Sequence, residues 1–165
     1  MTFTTKQDLG DVTRRPPRSS RRFRRSFAPL PRWRRVVLGA ALVAGSGLVV
    51  TAGAIHLHLW MVNPDYRDIS VIGPLFLFQS IAAFVLAVAL LASRRLIMVV
   101  AAAGFLLATI GGYLISVYVG LFGFKDTLSA PLGATSLGVE AAGVVVLAIA
   151  GAMIPRGDRF RLPWQ

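Results

Sequence analysis

Four long apolar runs, at residues 36–60, 71–92, 96–122 and 132–154, account for most of the chain. A helix needs about 20 residues, at about 1.5 Å rise, to cross about 30 Å of hydrocarbon. Each run is long enough. The predicted fold class is therefore all-α: an integral membrane, antiparallel four-helix bundle. Apolar residues make up 55% of the 165, more than a soluble domain of this size can bury. A disordered, arginine-rich arm over residues 1–35 precedes the membrane domain of residues 36–155, and a short basic tail over 156–165 follows it.

The net charge of +11 is concentrated: residues 1–35 hold 11 of the 18 Lys and Arg. Lysine and arginine near span ends favour the cytoplasmic side. The arm, the Ser93-Arg94-Arg95 turn and Arg156, Arg159 and Arg161 share one side and carry 16 of them, against Arg67 and Lys125 on the other. The expected arrangement is a multi-pass protein of a bacterial plasma membrane with both termini cytoplasmic. The turn at Ser93–Arg95 makes spans two and three antiparallel neighbours. Pro74 and Pro131 suit helix starts, where a missing N–H costs little, and Pro155 stops the last span. Trp60 and Tyr66 fit an interfacial aromatic belt on the outer side, as do Trp33 and Trp164 on the inner.

Arg21, Arg22, Arg24, Arg25, Arg32, Arg34 and Arg35 are read as a lipid-surface anchor on the anionic cytoplasmic leaflet, each charge contributing about 1 kcal/mol near the surface. A protein-docking tail is the alternative. Nucleic acid is not an expected partner, because the arm is tethered and has no folded reader. Ser20-Arg21-Arg22-Phe23 partly resembles a twin-arginine export signal, with Ala52-Gly53-Ala54 as a cleavage site. Arg24 and Arg25 stand where apolar residues belong, and the apolar run continues through Leu59, so cleavage is not expected.

There is no cysteine, which excludes disulfides, thiolate nucleophiles and cysteine-held metals or clusters. No hydrolase or transferase motif occurs, and no cofactor is expected.

Helices in lipid associate through close packing, for which small residues at helical spacing are the mark. Such stripes run through Gly45, Val49, Ala52 and His56, with a second through Gly47, Thr51, Ala54 and His58. Others are Gly73, Phe76, Ser80, Ala83 and Ala87; Gly104, Ala108, Gly111 and Gly112; and Gly133, Ser136, Glu140, Gly143 and Leu147. They serve the bundle itself, a homo-oligomer or other membrane proteins.

Glu140 is the one acidic residue inside a run, about 13 Å in from Pro131. An intramembrane carboxyl is a proton- or ligand-binding candidate, or else a hydrogen-bonded group that sets helix register. His56 and His58 are two positions apart and so point to opposite helix faces, which prevents both from holding one metal. His56 lies on the small-residue stripe and is the expected partner of Glu140; His58 is a secondary candidate. Gln79 and Tyr113 fall at a comparable depth. His56, Gln79, Tyr113 and Glu140, one from each span, thus form either an outer-half polar pocket or a hydrogen-bond network that locks the bundle. Asp65 and Asp68 flank Arg67 in the first outer loop, where local pairing explains them.

Ile55-His56-Leu57-His58-Leu59-Trp60, then Tyr66-Arg67, then Ile72-Gly73-Pro74-Leu75-Phe76-Leu77-Phe78-Gln79 resemble small four-span bacterial membrane proteins of unassigned function. The resemblance implies the layout but no activity. The layout is also similar to DoxX-like proteins, by architecture alone. Three functions stay open: a non-enzymatic accessory or assembly subunit, favoured by the minimal loops and small-residue stripes; a small proton- or cation-coupled transporter using the polar pocket; and a haem- or quinone-binding redox protein.

Overall fold

The computed structural model describes residues 31–154. The predicted disordered arm up to residue 30, with Arg21, Arg22, Arg24 and Arg25, and the basic tail lie outside the described residues. Five helices follow in order: α1 (Arg32–Val62), α2 (Pro64–Arg67), α3 (Ile72–Ser93), α4 (Leu96–Tyr118) and α5 (Gly133–Met153). Four of them, all but α2, are long and apolar enough to cross a membrane. Their outward faces fit that: Phe78 and Val88 are each 68% exposed, a surface suited to lipid and not to water.

Three boundaries differ from expectation. Helix α1 begins at Arg32, so Arg32, Arg34 and Arg35 belong to its first turn and not to the arm. The guanidinium of Arg34 lies 5.9 Å from the Trp33 ring centre. At its other end, Asn63 adopts an extended conformation because it precedes Pro64, which breaks the helix and starts the single turn of α2. Helix α4 stops at Tyr118, four residues before the end of the apolar run at 122. Both Val119 and Gly120 donate their N–H to the Ile115 carbonyl, and Gly120 has a φ of 100°, open to glycine at little cost. A tight turn with a Leu121–Phe124 bridge follows, so Leu121 and Phe124 fold back onto the end of the bundle while Val119 and Phe122 stay exposed.

Helix α1 packs along α3 and α5, and α4 packs along α5 and, more lightly, α3. The helices thus form a ring in the order α1, α3, α4, α5. Small residues set the close approaches. A Cβ on Gly53 would lie 2.7 Å from the Ala83 Cβ, and one on Gly45 2.7 Å from Leu147 Cδ2. Gly143 abuts Leu106 in the same way.

The core is divided. The larger cluster, near the arginine-bearing end, includes Leu42, Leu90, Val99, Leu106, Leu147 and Ala150. The smaller one, at the opposite end, gathers Leu59, Tyr66 and Ile72, with Phe76, Leu121 and Phe124 packed on them. Tyr66 is only 6% exposed, stacked on Phe76 at 5.2 Å and edge-on to Phe124 at 5.8 Å. It is therefore a buried plug delivered by α2, not part of an interfacial belt. A layer of polar side chains separates the two clusters.

Candidate functional site

The polar layer starts from His56, whose Nδ1 lies 2.8 Å from the Ala52 carbonyl oxygen. A carbonyl cannot donate, so the ring proton sits on Nδ1, and Nε2 of the neutral imidazole is an acceptor. Gln79 Nε2 approaches that atom at 3.1 Å and Thr109 Oγ1 at 2.9 Å, using both amide hydrogens. The Thr109 hydroxyl in turn donates to the Phe105 carbonyl at 2.9 Å. This chain ties α1, α3 and α4 together. Leaving the buried His56 unmatched would cost about 1–3 kcal/mol.

Above the chain, toward the arginine-poor end, the Tyr113 hydroxyl donates to the Thr127 carbonyl at 3.0 Å. Its oxygen also abuts Gly133 at the start of α5, where any side chain would displace it. Asp126 accepts from the Tyr66 hydroxyl at 3.3 Å and from the Thr127 backbone N–H at 2.8 Å. Glu140 is 1% exposed; its Oε1 accepts from Ser136 at 3.1 Å, and its second oxygen has no hydrogen-bond partner among the described residues.

Two cavities meet at this layer. The larger, about 320 Å³, lies between α3 and α4, and its lining includes Leu75, Phe78 and Ala108, which are exposed on the flank of the bundle. Its walls include Leu75, Phe76, Phe78, Phe105, Leu121 and Phe124, and its polar floor holds His56, Gln79, Thr109, Tyr113 and Asp126. The smaller, about 40 Å³, runs between α1, α4 and α5 and ends on Ser136 and Glu140. It shares His56, Phe76, Thr109, Tyr113 and Asp126 with the first. At about 10–15 Å³ per water, it has room for about three or four. Directly below, toward the arginine-bearing end, Val49, Ala83, Leu106 and Leu147 are all 0% exposed and close the bundle.

Of the four residues expected to converge, His56 and Gln79 touch, and Tyr113 lines both cavities with them. Glu140 lines only the smaller cavity, where it faces His56 and Tyr113 across the space and not through a hydrogen bond to either. His58 is exposed on the opposite face of α1, together with Gly47, Thr51 and Ala54. That second stripe is no contact of the bundle.

The stripe on α4 also differs from expectation. Nothing lies within 4 Å of a Cβ built on Gly104, Gly111 or Gly112, so these positions mark no close helix contact. Ala108 and Gly112 instead border the cleft, and their small size keeps it open. Sequence reasoning missed Thr109 and Asp126. A hydroxyl four residues before Tyr113 was the available signal for the first; nothing local signalled that the loop carboxylate turns inward. Among the described residues there is no group of three His, Asp or Glu that could hold a metal ion.

The fold and this site define a multi-pass helical chain with a polar-floored cleft opening between two of its spans. Compared with family models, curated proteins and solved structures, the chain matches none.

Proposed function

We propose that this chain is a membrane-embedded binding protein that takes an amphipathic molecule sideways from the bilayer into the α3/α4 cleft. The observation that carries this reading is the pairing of apolar walls with polar groups in a cavity of about 320 Å³ whose lining reaches the exposed Leu75 and Phe78. Small-molecule sites combine an apolar lining with a few convergent polar groups in this way. A tail lies against Phe76, Phe78 and Phe105 while the head group meets Gln79, Thr109 and Tyr113. The positive-inside asymmetry supports cytoplasmic termini, which puts the cleft in the outer half of the membrane. The closed layer of Val49, Ala83, Leu106 and Leu147 favours binding over conduction, and the transporter reading would need that layer to part.

The accessory-subunit reading keeps one specific support, the outward stripe of Gly47, Thr51, Ala54 and His58 on α1. The stripes of α3 and α5, and the first stripe of α1, are used within the chain itself. Purification in mild detergent, followed by identification of bound proteins and small molecules, separates the two. Ligand binding predicts a near-equimolar amphipathic molecule. A near-equimolar protein partner with no small molecule would favour the accessory subunit instead.

A further inference from the structure

The hydrogen-bonding polarity of the cleft specifies its ligand, given the binding reading above. Every side-chain N–H and O–H donor on the cleft wall is already used inside the protein. His56 donates to Ala52, Gln79 to His56 and Thr109, and Thr109 to Phe105. Tyr113 donates to Thr127, and Ser116 donates to the Tyr113 carbonyl at 2.7 Å. What remains is acceptors: Gln79 Oε1, the lone pairs of Thr109 and Tyr113, and the Asp126 carboxylate.

The charge has the same sense. The one ion pair among the described residues joins Arg67 to Asp68, both exposed, so neither Asp126 nor Glu140 is matched by a basic side chain there. The second oxygen of Glu140, on a side chain 1% exposed, stands in the adjoining cavity without a hydrogen-bond partner. An ionised carboxyl buried in this way is costly until it takes a proton or a donor or cation reaches it.

We infer that the cleft recognises a cationic amphiphile whose head group donates hydrogen bonds, a long-chain primary ammonium in chemical class. The three N–H groups of such a head satisfy Gln79 Oε1, the Tyr113 oxygen and Asp126, while its chain leaves through the opening between α3 and α4. Head groups that only accept, such as quinones and carboxylates, meet lone pairs on every side.

The test is calorimetric titration of the full chain in lipid nanodiscs with three matched probes, empty nanodiscs providing the partition blank. The probes are dodecylammonium, dodecyltrimethylammonium, which has the charge without the donors, and dodecanoate. The expected result is saturable binding of dodecylammonium, at least about tenfold tighter than either of the others, and lost in a Gly112→Leu variant. If dodecyltrimethylammonium binds equally well, or dodecanoate binds more tightly, and Gly112→Leu still abolishes the binding, the head-group inference is overturned while the cleft remains a binding site. If no probe saturates, or Gly112→Leu changes nothing, both readings fall.

Discussion

Leucine at position 112 is expected to weaken binding of an amphipathic ligand by at least about tenfold, or about 1.4 kcal/mol, with no loss of fold. The reason is local. A Cβ at Gly112 meets nothing within 4 Å, so a larger side chain enters the cleft without pushing on a helix. Helix propensity adds to this, since leucine is preferred over glycine in a helix interior by about 0.5–1 kcal/mol. The variant therefore keeps or slightly raises its thermal midpoint in detergent while losing ligand. Gly104→Leu is the matched control. Gly104 also lies on α4 with free space at its Cβ, but it does not line the cleft. Ligand affinity measured on both variants separates occlusion of the cleft from a general effect of leucine on α4.

The opposite outcome is expected at Gly53. There α1 and α3 meet so closely that a Cβ would lie 2.7 Å from Ala83 and 3.3 Å from the Ser80 carbonyl oxygen. A backbone carbonyl cannot swing aside as a flexible side chain does, so Gly53→Leu must separate the helices. Overpacking of this kind costs about 1–3 kcal/mol in ordinary cores, and the backbone contact puts this site at about 3 kcal/mol or more. The variant should lose the monodisperse peak in size-exclusion chromatography that Gly47→Leu retains. Gly47 is six positions earlier on the same helix, exposed, with nothing near its Cβ. A Gly47→Leu chain that also fails to assemble would show that the outward stripe carries a partner.

The contrast between these glycines marks what was legible in the residues and what was not. Length and apolarity were enough to identify four spans, because a bilayer demands both. Periodicity was enough to place Gly45, Val49, Ala52 and His56 on one buried face, and to turn His58 away from it. Depth alone put His56, Gln79, Tyr113 and Glu140 at one level, but the expected partner of His56 was Glu140, and it is Gln79 that bonds it. Three features were not legible. A small residue permits close approach or leaves a void, and only the rotation of α4 decides which; for Gly112 it is the void. The inward turn of Asp126 depends on a loop that folds back on Tyr66 through a long-range contact. Glu140 bonds Ser136 on its own helix and meets His56 only across the smaller cavity, a separation set by the rotation of α5.

The central claim is that amphiphiles enter between α3 and α4 and nowhere else on this surface. Photo-crosslinking tests it most directly, with a diazirine-bearing dodecylamine added to the full chain in bilayers and the adducts mapped by peptide mass spectrometry. The account predicts adducts confined to residues 75–79 of α3 and 105–113 of α4, and competed away by excess dodecylammonium. Adducts spread evenly over all four spans, or concentrated on the Gly47–Thr51–Ala54–His58 face of α1, would contradict it.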